Sequence, residues 1–156
     1  DYIAKGLVAL ELRHLVRDAF DLTAALLARC GGPSRVFTLT EDMMARQDVW
    51  MAEGQVIALK QEAQLNAMPL PKKLQTLAKG TGLLAMAQAR GLTPAQANAC
   101  LASTQMHKTV LAMTKDAVDV RKINATPTFL INGQPGPRTS EWADVDAALK
   151  SALGQR

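Results

Sequence analysis

An α/β fold follows from three stretches of this sequence. An apolar run at Leu7 to Val16 turns to alternation, Thr93-Pro94-Ala95-Gln96 marks a sharp helix start, and the apolar stretch Thr128 to Ile131 follows a proline and ends in Asn132-Gly133. The first suits a buried strand that emerges at one end. The second places Thr at the N-cap, Pro at the first helical position and Gln at the third, so a helix must begin there. The third reads as a strand, because proline has no N–H for a sheet ladder and is confined to a strand's start, an edge or a bulge.

The remaining elements follow in order. Asp21 offers a cap for a helix over Leu22 to Arg29, which Gly31-Gly32 can end in left-handed geometry and Pro33 cannot continue. Thr40 is the expected cap of a second helix from Glu41 to about Glu53, with Met43, Met44, Val49, Trp50 and Met51 at helical spacing. Val56 to Gly91 reads as short helices broken at Met68-Pro69-Leu70-Pro71 and at Gly80-Thr81-Gly82. A long helix is expected from about Met106 to Lys122, followed by the strand Thr128 to Ile131 and a turn at Asn132-Gly133. Gly136 and Pro137 predict that the next strand is weak or very short. Ser140 is the expected cap of a last helix through Leu153, with Trp142, Val145, Leu149 and Leu153 on its buried face.

Composition narrows the function classes. The 156 residues are 48% apolar and 21% charged, ordinary for a globular chain, and only 4% aromatic, so the core must be largely aliphatic. Every apolar run is interrupted well before the roughly 20 residues needed to span a bilayer, which argues against membrane insertion. The net charge is +4, but the cations are dispersed, with Lys72-Lys73 and Arg121-Lys122 the only close pairs. No basic stripe is interleaved with aromatics, so nucleic acid is not an expected partner. The opening Asp1 to Gly6 has no basic-then-apolar order of a signal peptide.

Few residues offer chemistry. Cys30 and Cys100 are the only cysteines, with 69 residues between them, neither a Cys-X-X-Cys nor a zinc pattern. Two buried free thiols and a non-catalytic disulfide are both compatible with their Ala- and Leu-rich surroundings. His14 and His107 have no carboxylate or cysteine at ligand spacing, so no metal is expected and both read as structural. The seven methionines read first as core filler and only secondarily as a groove for unfolded chains. Phosphate loops, nucleophile elbows and paired acid-base carboxylates are missing, and no cofactor is expected.

What stands out is Asn124-Ala125-Thr126-Pro127-Thr128-Phe129-Leu130-Ile131-Asn132-Gly133. A cis bond before Pro127 costs little and would turn the Thr126 backbone groups outward, free to pair with an extended peptide. The run ATPTFLINGQ, with the helical stretch His107 to Ile123 before it and a short helix after it, resembles the end of DsbA-like thioredoxin-fold oxidoreductases. Asp1 to Gly32 is similar to the segment after that family's active-site helix, and Arg90 to Leu101 to a helix of its helical insertion. The resemblance covers nearly the whole chain.

It implies a thioredoxin-like fold with an inserted helical domain, whose first strand and active-site helix are absent from this chain. Residues 1–20 and 107–156 would form the thioredoxin-like part and 21–106 the insertion. The strands on either side of the missing central strand could not pair, and each unsatisfied buried backbone group costs about 1 to 3 kcal/mol. An N-terminal segment or a second chain is therefore expected to complete the sheet. The resemblance also implies a protein thiol:disulfide oxidoreductase, periplasmic, acting on extended or unfolded proteins and served by a membrane or soluble redox partner. Thr126 and Pro127 would hold the substrate backbone, and Cys30 and Cys100 would form a structural disulfide as in some relatives. The catalytic Cys-X-X-Cys is not among these residues, so no catalytic residue is assigned and the chain is expected to be inert alone. Two other readings share this architecture: a relative of kappa-type glutathione transferases or 2-hydroxychromene-2-carboxylate isomerases, and a non-catalytic peptide-binding module.

Overall fold

The computed structural model describes residues 2–139 and 141–154, which are mostly helical with one small sheet. Two compact units emerge from the packing: Arg13–Lys115, and Asp1–Leu12 together with Asp116–Arg156.

The larger unit is built around helix α1, Ala19–Cys30, in which every residue from Leu22 to Ala28 is buried. A helix apolar on all sides belongs at a centre. α1 touches α2 (Val36–Ala45), α4 (Leu70–Gly80), α5 (Leu83–Ala89), α6 (Pro94–Ala102) and α7 (Thr104–Lys115). Leu26, Leu27, Leu39, Leu74, Leu83, Leu101 and Val110 are fully buried in the shared core, with Met43 and Trp50. The long α3, Gln47–Ala67, packs on α4 and is kinked at Gln61, whose φ and ψ are −129° and 19°.

Several expected boundaries hold. α3 ends before the Met68-Pro69 break, Gly80-Thr81-Gly82 separates α4 from α5, and the Thr93 to Gln96 capping box opens α6 with both reciprocal hydrogen bonds formed. Others move. Asp18, not Asp21, caps α1 by accepting from the Phe20 and Asp21 amides at 2.8 and 2.9 Å. Asp21 instead pairs with Arg17 at 2.7 Å. At the far end Gly32 takes the positive φ of 72°, while Gly31 stays helical. Thr40 is no cap. It lies inside α2 and returns its hydroxyl to the Val36 carbonyl at 2.7 Å, while the break falls at Arg46.

The expected strand Leu7 to Val16 is not formed: residues 8–17 belong to neither helix nor ladder. Alternation in sequence can select a strand's faces but cannot supply its partner. Where a ladder bond would fall, the Val16 N–H donates to Thr114 Oγ1 at 2.9 Å, and that hydroxyl faces the His14 carbonyl at 3.4 Å.

In the smaller unit the end of the expected long helix, Asp116–Val120, is a π-helical turn. Strands β1 (Leu130–Ile131) and β2 (Gln134–Pro135) pair antiparallel, Leu130 opposite Pro135 and Ile131 opposite Gln134. β1 is thus shorter than expected, and the weak second strand is two residues long. Asn132 and Gly133 turn the hairpin at φ of 52° and 79°, the left-handed pair that matches strand twist. The Gly136 N–H adds a bond to the Phe129 carbonyl at 2.8 Å, and a Cβ on Gly136 would meet that carbonyl at 3.0 Å.

Helix α8, Trp142–Ala152, packs on β1 and buries Val145. Leu149 and Leu153 are half-buried, but Trp142 is 62% exposed, contrary to its expected place on the buried face. It is the first helical residue, on the same stripe as Val145 but one turn earlier, at the helix's exposed start. The cap expected at Ser140 lies outside the described residues.

Candidate functional site

The π-helical turn leads into the corner that the sequence singled out. Two backbone bonds close the turn, Arg121 N–H to Asp116 O at 3.0 Å and Ile123 N–H to Ala117 O at 2.8 Å. The adjacent cations brace it: Arg121 Nε meets Asp116 Oδ2 at 2.6 Å, and Lys122, at φ 56°, extends its ammonium to the Asp119 carbonyl at 2.7 Å. The sequence showed this basic pair only as surface charge. Its bracing role depends on the π-helical register, which carried no sequence signal.

Beyond Ile123, residues 124–128 are exposed. The Thr126-Pro127 peptide is cis. Thr128 ties the corner by donating its hydroxyl to the Ala125 carbonyl at 2.7 Å. Among the described residues no hydrogen bond ends on the Thr126 backbone. The chain then enters β1, whose paired edge faces β2. An exposed, side-chain-braced corner with unspent backbone groups can accept another chain's main-chain hydrogen bonds.

The remaining candidates lie in the helical unit. Cys30, the last residue of α1, and Cys100 in α6 form a disulfide with their Cα atoms 5.7 Å apart. No free cysteine remains among the described residues. The bond ties together two helices that also share apolar contacts.

His14 lines a cavity with Ala24, Ala25, Met43 and Trp50. Its Nε2 is buried without a hydrogen-bond partner among the described residues, and burial, aided by the positive charge of Arg29, pushes its pKa down to about 4. A neutral imidazole held this way, half-buried beside the core, is a structural side chain. His107 is also buried, its Nε2 set 2.8 Å from the Leu101 carbonyl. The structure does not bring the two histidines into any group of three or more His, Cys, Asp or Glu side chains fit for a metal, among the described residues. Of the methionines, Met43 is buried while Met44 is 54% exposed. No described helix is long and apolar enough to cross a membrane.

Comparison with known proteins bears on the fold and the family. The chain is 27% identical to a solved protein-disulfide isomerase from Novosphingobium aromaticivorans, with a TM-score of 0.84 over 98% of this chain and 78% of that one. It is 26% identical over 97% of its length to a Rickettsia bellii protein named "Putative protein-disulfide oxidoreductase". A protein of the same name from Rickettsia felis is 26% identical over 99% of the chain. The chain spans about half the length of these two relatives, 50% and 48%. The fold is thioredoxin-like in its DsbA-like, helix-rich form. With the family model described as Thioredoxin matching residues 1–151, the chain belongs to the thioredoxin family.

Proposed function

We propose that this chain is the substrate-positioning part of a DsbA-like protein thiol:disulfide oxidoreductase. The observation that carries the reading is the braced, exposed Thr126-Pro127 corner with unspent backbone groups at Thr126, in a chain similar over its length to proteins named for disulfide chemistry. In this reading residues 1–20 and 107–156 are the thioredoxin-like part and 21–106 the helical insertion. Thr126 and Pro127 align the backbone of an extended or unfolded protein so that its sulfur meets a low-pKa thiolate. That thiolate attacks a substrate disulfide, a mixed disulfide forms, and the displaced substrate sulfur leaves as a thiolate. In the reverse course a substrate thiolate attacks the oxidised dithiol to form the mixed disulfide, and a second substrate thiolate resolves it into a substrate disulfide as the low-pKa thiolate leaves.

The attacking dithiol comes from residues outside these 156, because Cys30 and Cys100 are consumed in their own disulfide. An N-terminal segment or a second chain completes the sheet beside β1. A periplasmic location, with a membrane or soluble redox partner, suits a domain stabilised by a long-range disulfide, since such bonds persist in oxidising compartments.

The test is oxidative refolding of a reduced ribonuclease by the full-length protein and by its Thr126→Arg variant. The variant is expected to lose about tenfold in kcat/KM, equal to about 1.4 kcal/mol of transition-state stabilisation. Absence of exchange activity in the full-length protein, or equal activity in the variant, overturns the proposal.

A further inference from the structure

Helix α3 carries two apolar faces. One holds Trp50, Gly54 and Leu65 against the core. Opposite it, before the kink at Gln61, Val49, Ala52, Val56 and Leu59 recur at steps of three, four and three, and every one is exposed, Leu59 at 85% and Val49 at 53%. Steps of three and four are the seam of a two-helix coiled coil. A lone apolar residue in solvent is ordinary, whereas a seam in register along one helix is not.

The flanks identify the occupant. One edge of the seam carries Glu53 and Lys60, the other Asp48 and Gln55. Among the described residues neither Glu53 nor Lys60 has an ion-pair partner. Two parallel copies would set Asp48 against Glu53 of the second copy, twice, as like charges. Two antiparallel copies, aligned with Val56 over Leu59, bring Glu53 within about two residues of the second copy's Lys60, again twice, as opposite charges. Each flank edge then faces its own copy, and the edge bearing Glu53 and Lys60 is self-complementary.

We propose that the solvent face of α3 is a two-fold interface on which a second copy of this chain docks antiparallel, with Val56 and Leu59 at its centre. Residues 47–60 precede the kink at Gln61 and give a straight run of about 20 Å at 1.5 Å per residue. So short a seam makes a reversible dimer rather than an obligate one.

The experiment is sedimentation equilibrium of the full-length protein over a wide concentration range, with four variants and the thermal midpoint of each. Leu59→Glu is expected to abolish self-association and leave the midpoint unchanged, since the side chain is almost wholly exposed in one copy. Glu53→Lys and Lys60→Glu are each expected to weaken the dimer by about tenfold, and the double exchange to restore it. A protein that stays monomeric throughout overturns the proposal, as does a dimer indifferent to Leu59→Glu or a double exchange without rescue. A monomer whose midpoint falls sharply in Leu59→Glu also overturns it, because the face is then covered by another part of the same molecule.

Discussion

The Val16 amide donates to the Thr114 hydroxyl across 2.9 Å, joining an irregular segment to helix α7 where a β-ladder bond was expected. The hydroxyl also lies 3.4 Å from the His14 carbonyl. One side chain thus serves two backbone positions that have no strand beside them. Thr114→Val keeps the shape and removes both bonds. The expected loss is about 1 kcal/mol, read as a lower urea midpoint at unchanged slope. An unaltered midpoint would mean that water satisfies the Val16 amide equally well.

How far the sequence could be read depends on whether a signal was local. The capping box at Thr93 needs only four residues in a row, and it was legible in full. The Asn132-Gly133 turn and the proline and glycine breaks were legible for the same reason. The strand expected over Leu7 to Val16 did not form, because its alternation describes a surface and pairing depends on a second strand. Thr40 looked like a cap because it precedes Glu41, but the buried Leu39 and Met43 draw the helix past it into the core. At the candidate site, Thr126 and Pro127 were legible through their strand and turn. The bracing by Arg121 and Lys122 depends on the π-helical turn and was not.

The cap of α1 gives a paired test. Asp18 accepts two backbone N–H groups, while Asp21 bonds the Arg17 side chain and amide at the surface. Asp18→Ala is expected to cost about 1 kcal/mol and Asp21→Ala about half that, in chemical denaturation at neutral pH. The reverse order would restore Asp21 as the cap.

The disulfide predicts a redox-dependent stability. Cys30 and Cys100 are 70 positions apart, and closing a loop of that length restricts the unfolded chain by about 4 kcal/mol in the chain-entropy model. The paired Cys30→Ser, Cys100→Ser variant is expected to melt well below the parent, and reductant to lower the parent alone. Thiol titration of the unfolded, unreduced chain is expected to find neither cysteine free.

His14 makes the fold sensitive to acid. Its folded pKa of about 4 lies below the unfolded value near 6.5, so the unfolded state takes up a proton first as pH falls. The neutral imidazole's full contribution is present above about pH 6.5 and declines down to about pH 4. The span corresponds to about 3 kcal/mol at most. Denaturation of the parent and of His14→Leu at a series of pH values checks this: the variant is expected to lose much of the slope between those limits. Parallel curves would remove His14 as its origin.

The most direct test of the account is amide NMR of the full-length protein titrated with a cysteine-free extended peptide. Saturable shifts centred on Thr126 and Thr128, with smaller ones into β1, are the predicted result. Binding that leaves those amides unmoved, or shifts confined to the helical unit, would contradict the role given to the threonine-proline corner.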